Sequence, residues 1–148
     1  MNNWSNNPTF TVYAVACLLL CCNLLFLWVY SGAVRGKARS TPNAEDVVRF
    51  GATLTETDPA EIARVLRAHS NAQASIVPFV VLGLIYVMAG GPAGPASGYF
   101  AVFCLARMLH SHAYLTARQP WRTVWFVSGL AATAGLLLHT AWLLVSAR

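Results

Sequence analysis

Carboxylates are scarce in this chain: five among 148 residues (Glu45, Asp46, Glu56, Asp58 and Glu61), against ten Lys and Arg. All five fall in one segment, so nothing else in the chain can supply an acid. Charge of either sign is missing from Met1 to Val34, from Ala68 to Ala106 and from Thr123 to Ala147. With 57% hydrophobic and 10% charged residues, a soluble domain of ordinary composition is excluded. The four cysteines, Cys17, Cys21, Cys22 and Cys104, show neither a CxxC pair nor Cys/His ligand spacing, and are expected to pack as small apolar residues. The first apolar run lacks a basic start and exceeds the roughly 7 to 15 residues of a signal-peptide core, and is expected to be a retained helix.

What is present is a set of long apolar stretches. The middle one is divided by Gly90–Pro95, giving four spans of roughly 20 residues or more, each enough for about 30 Å of hydrocarbon. The fold class expected is all-α: one domain over residues 1–148, an integral membrane four-helix bundle lying in the lipid bilayer. The expected helices run from about Phe10 to Val34, Pro59 to Ala89, Ser97 to Ala117 and Trp121 to Val145. A short helix begins near Asn43 with Glu45 and Asp46 in its first turn. Asp58 is expected to cap the second long helix, with Pro59 at its first position and Glu61 three residues after the cap. Pro78 should kink that helix. Asn23 should make an interhelical hydrogen bond, and His139 should pack.

The net charge of +5 does not point to nucleic acid once positions are considered. Six of the ten cations (Arg35, Lys37, Arg39, Arg49, Arg64, Arg67) lie in or beside the first loop, and Arg118 and Arg122 flank the third. By the positive-inside rule, loops one and three face the cytoplasm and both termini the opposite side.

Charges inside membranes have a purpose. On the second long helix, Arg64, Arg67, Asn71, Ser75 and Pro78 fall within about 80° of each other. On the third, Arg107, His110, Ser111, Tyr114 and Arg118 share a face about 100° wide, and Arg107 sits near mid-span, where it needs a partner or a wet cavity. His110 and His112 point about 160° apart, so they form no common metal site. Arg122 and Thr123 occupy the first turn of the last helix, where free backbone N–H groups and the dipole favour an anion. These stripes converge on a small polyanionic ligand between helices, held by guanidinium forks, in a pocket open sideways to lipid. Such a pocket could join an apolar molecule to a water-soluble one.

The ordered set Glu45-Asp46 with Arg49, Arg67 through Asn71 followed by Pro78-Phe79, Arg107 with His110 and Tyr114, and Pro120 through Thr123 resembles the membrane-associated proteins in eicosanoid and glutathione metabolism, the MAPEG family. Within it the pattern is similar to the prostaglandin E synthase branch, over roughly Gly32 to Phe126. The resemblance implies a homotrimer with glutathione between neighbouring subunits. It implies that Arg35, Arg67, Asn71, His110, Tyr114, Arg122 and Thr123 hold or activate glutathione, and it brings Arg107 and Phe126 into the same site. Arg122 would stabilise the thiolate, Thr123 would offer its hydroxyl to the sulfur, and Asp46 would orient or exchange protons with Arg122. Ser70, Ala74 and Phe126 depart from the branch, which has an arginine, a glutamate and a tyrosine there. One residue is also missing between Tyr114 and Arg118. The activity implied is a glutathione transferase or hydroperoxide reductase acting on a lipophilic small molecule. Two alternatives accompany it: a glutathione-dependent prostaglandin endoperoxide isomerase, and a non-catalytic lipid-binding scaffold with a degraded arginine stripe.

Overall fold

The computed structural model describes residues 6–146; Arg148, counted among the cations above, lies outside them. In chain order the elements are α1 (Pro8–Ala38), β1 (Ser40–Thr41), α2 (Ala44–Phe50), β2 (Thr53–Leu54), α3 (Ala60–Met88), α4 (Ala93–Leu115) and α5 (Trp121–Ser146). The helical class expected from the sequence holds, with five helices and one two-residue strand pair among the described residues.

α1 begins ahead of the apolar run because its signal lies upstream. The Asn7 side chain accepts from the backbone N–H groups of Thr9 and Phe10, and Pro8 contributes a φ already set for a helix. The helix ends four residues later than expected, where Arg39 turns left-handed (φ 48°) and its N–H closes on the Gly36 carbonyl. α1, α3 and α5 are long and apolar enough to cross a membrane. α4, at 23 residues, is not among them, because Arg107, two histidines and a Gly/Ser/Pro-rich start dilute its hydropathy.

The four long helices pack on one another: α1 rests on α3 and α4, and α4 lies along α5. The buried face of α1 is a seam, Ala16, Leu20, Asn23 and Leu27, while Leu18, Phe26 and Val29 point outward. Large apolar side chains turned outward on every long helix suit a lipid solvent, where no apolar face needs hiding. The centre is aromatic: Phe79 stacks on Phe103 with ring centroids 3.6 Å apart and meets Phe100 edge-on at 5.7 Å. His139 packs edge-on against Tyr86 at 5.2 Å, as expected.

Three local expectations need correction. Asp58 caps nothing: α3 starts one residue later with Pro59 as its flanking residue, and the Asp58 carboxylate pairs with Arg35 at 2.8 Å. A full positive charge from a neighbouring helix outcompetes two backbone N–H groups for that carboxylate. Asn23 is buried but its Nδ2 finds no protein partner. Only Cys104 packs as a buried thiol; Cys17 is half-buried, and Cys21 and Cys22 face outward.

Loop one is tied rather than loose. β1 and β2 pair in parallel, Ser40 with Thr53 and Thr41 with Leu54, and α2 fills the connection between them. At the far end of the molecule, Thr9 Oγ1 donates to the Gly91 carbonyl at 2.9 Å, which seats the start of α1 on the α3–α4 turn. Loop one and the α4–α5 turn therefore share the opposite end, where the arginine stripes lie.

Candidate functional site

Arg107 is the largest side chain buried to this depth, 1% exposed. Its Nη2 donates to Asn71 Oδ1 at 2.8 Å, which joins the α3 and α4 stripes, while its Nε is buried with no partner. No carboxylate pairs with it: the one ion pair among the described residues is Arg35–Asp58. A buried guanidinium held by one neutral amide leaves most of its charge uncompensated, which the interior tolerates only beside water or an anion.

The opening for one lies alongside. A groove of about 290 Å³ runs between α3 and α5 with α4 as its floor, bounded by Asn71, Ala74, Ser75 and Pro78 on one wall and Phe126 to Thr133 on the other. Arg107 and Phe103 come up from the floor. α3 continues through Pro78, which has no N–H to give the Ala74 carbonyl, so one wall carries a backbone acceptor without its helical donor. Most of the lining is apolar, with polarity concentrated at the Asn71–Arg107 end.

From that end the site continues along α4 and α5. His110 Nδ1 lies 2.9 Å from the Arg122 carbonyl oxygen. A carbonyl can only accept, so Nδ1 carries the proton, and a neutral ring then presents Nε2 as an acceptor, buried and without a protein partner. The His110 ring meets Tyr114 at 5.8 Å and Phe126 at 6.1 Å. The Arg122 guanidinium carbon lies 4.9 Å over the Tyr114 ring, a cation–π contact. With the Gln119 amide turned so that both its ends are satisfied, its oxygen accepts from Arg122 Nε (3.1 Å) and Nη2 (2.7 Å) and its nitrogen donates to Thr123 Oγ1 (3.2 Å).

The structure thus brings Asn71, Arg107, His110, Tyr114, Arg122, Thr123 and Phe126 into one continuous strip. It does not bring Arg35 and Asp46 there. They line a separate recess of about 310 Å³ in loop one. Arg35 is held by Asp58, and Asp46 accepts from Thr41 Oγ1 (2.9 Å) and Asn43 Nδ2 (3.2 Å). Arg67 stands exposed on α3, one turn before Asn71.

The first turn of α5 lacks the free backbone donors expected at Arg122 and Thr123. The N–H groups of Arg122, Thr123 and Val124 are already taken by the carbonyls of Arg118 and Pro120. The α4–α5 turn wraps back onto the helix start, and attraction for an anion there rests on the guanidinium. Gln119 was missed. It lies in the turn before α5, outside the helical repeat, so no spacing signal pointed to it.

The sequence matches the MAPEG family over residues 13–142. It is 35% identical to prostaglandin E synthase of Equus caballus over 135 residues, 87% of this chain and 88% of that protein. Prostaglandin E synthase of Homo sapiens is 33% identical, with 87% and 89% covered. Microsomal glutathione S-transferase 1 of Sus scrofa is 31% identical over 136 residues, covering 88% of this chain and 87% of that protein.

Proposed function

The chain belongs to the MAPEG family, and from that premise we propose that it is a membrane-embedded glutathione transferase, activating the thiol of glutathione for attack on lipophilic electrophiles or hydroperoxides. Relatives named for prostaglandin E synthesis and for microsomal glutathione transfer each cover nearly nine-tenths of the chain. The observation that carries the reading is Arg107: a fully buried cation with an unpartnered Nε, beside a groove and with no carboxylate. Glutathione fits that vacancy in charge, because its two carboxylates supply what the protein lacks there.

In this reading four spans cross the membrane, α4 included, with loop one and the α4–α5 turn cytoplasmic. Three copies form the working unit. Arg107 and Asn71 hold an anionic end of the peptide, with Arg67, exposed on the same stripe, available to the other. Bound glutathione supplies the sulfur nucleophile. Arg122, steadied over Tyr114, lowers the cost of a negative sulfur, since a nearby cation favours the ionised thiol. Thr123 presents a hydroxyl one residue on. His110 fixes the backbone of Arg122, and Phe126 with the apolar groove wall excludes water and receives the lipophilic partner. Arg35 and Asp46, remote within one protomer, would reach the strip of a neighbouring subunit.

The test is ultraviolet difference absorbance of the detergent-purified protein on adding glutathione near neutral pH. A thiolate band that disappears in Arg122→Ala, while the oligomer persists, is the expected result; normal turnover in that variant would sink the assignment. The second reading, a glutathione-dependent endoperoxide isomerase, is favoured by the similarity to prostaglandin E synthases. There Asp46→Asn should lose isomerisation and keep thiol conjugation, and a variant losing neither counts against it.

A further inference from the structure

We infer that Gln119 is a positioning residue that sets Arg122 and Thr123 in their working geometry with a single side-chain amide. The inference rests on the thiolate-activating reading above and adds to it a residue that neither the arginine stripes nor the matched motifs contain.

The geometry is specific. The Gln119 oxygen takes Nε and Nη2 of Arg122 together, at 3.1 and 2.7 Å, so it occupies the side edge of the guanidinium fork. The Nη1 edge, with the remaining Nη2 proton, is left for an anion. The same amide's nitrogen donates to Thr123 Oγ1 at 3.2 Å, filling an acceptor position of that hydroxyl and leaving its proton free to turn toward a sulfur. Both contacts go to side chains, so Gln119 is not acting as a helix cap; the nearby backbone N–H groups are bonded to Arg118 and Pro120. Arg122 is only half-buried and Thr123 is exposed. Without the amide, the Tyr114 ring face would restrain the guanidinium from one side only, and a flexible arginine would hold its charge near the sulfur for a smaller share of the time.

A neutral amide suits this role. A carboxylate at the same place would hold the fork equally well but cancel the positive field that ionises the thiol, and an apolar residue would leave the fork unheld.

The experiment uses the full chain in detergent with Gln119→Met, close in size but without the amide. The pH midpoint of the glutathione thiolate band, glutathione binding, and kcat and KM with an aryl halide electrophile are measured against wild type. The expected result is a midpoint raised by about one pH unit, corresponding to about tenfold less thiolate and a similar fall in kcat near neutrality, with glutathione binding within about twofold of wild type. Gln119→Glu should raise the midpoint as well, although it can still hold the arginine. A Met variant with an unshifted midpoint and unchanged kcat overturns the role of Gln119 alone. A wild-type protein that binds glutathione but shows no thiolate at any pH overturns this inference together with the reading it rests on.

Discussion

Asn71→Ala isolates the cost of the buried arginine. Asn71 Oδ1 receives the one hydrogen bond that the Arg107 guanidinium makes among the described residues, at 2.8 Å, and Arg107 is 1% exposed. A hydrogen bond to a charged group contributes about 1.5–3 kcal/mol, and stripping a fully buried charge of its partner costs about 3–5 kcal/mol. The groove beside Arg107 admits water, so the lower range applies: about 2 kcal/mol, or roughly 4–8 °C in unfolding temperature for a chain of this size. Arg107→Met behaves differently. It removes the charge together with its need for a partner, and stability should stay within about 1 kcal/mol of wild type. Asn71→Ala added to Arg107→Met should then cost much less than Asn71→Ala alone, giving a coupling near 2 kcal/mol. The assay is thermal unfolding of the four proteins in one detergent, without and then with excess glutathione. Wild type should gain stability from the ligand, and Arg107→Met should gain little. If Asn71→Ala unfolds with wild type, or Arg107→Met is the weaker single variant, the account of Arg107 as a cation awaiting an anion is wrong.

Other perturbations follow from particular contacts. A Cβ on Gly91 would collide with the buried ring of Tyr86, whose hydroxyl is held by the Pro92 carbonyl, so Gly91→Ala should cost about 1–3 kcal/mol in the same unfolding assay. Thr9→Val loses the hydroxyl donated to the Gly91 carbonyl, about 1 kcal/mol, and should loosen amide-exchange protection around the α3–α4 turn ahead of the rest. Asp58→Asn breaks the Arg35 pair, whose side chains are 27% and 24% exposed; the loss should stay below about 1 kcal/mol and shrink as salt is raised.

Much of this was legible in the sequence because in lipid the pattern is coarse. Long uncharged runs mark spans, and a cation inside one marks a site, so Arg107 and Asn71 stood out before any coordinate. Arg107 with Asn71 on two facing stripes was enough to predict a shared polar end. What was hidden depended on competition between partners. Asp58 and Pro59 read as a helix start until Arg35, twenty-three residues earlier, claimed the carboxylate. The N–H groups of Arg122 and Thr123 looked free until the turn folded back on them. Gln119 carried no charge and sat among turn residues, so periodicity was silent about it. Loop one, with its parallel strand pair and the recess holding Arg35 and Asp46, depends on contacts that no repeat in the sequence announces.

The burial of Arg107 also bears on how the chain enters a bilayer. α1, α3 and α5 are long and apolar enough to cross a membrane, but α4 carries a guanidinium near its middle that a lone helix would have to expose to lipid. Its hydrogen-bond partner, Asn71, stands on the helix made just before it, and the helix lying along it, α5, is made just after. On the four-span reading proposed above, α4 enters between neighbours rather than as an independent span. Order of synthesis thus bears on this buried cation: the amide that holds the Arg107 guanidinium in the finished protein belongs to a helix made before it.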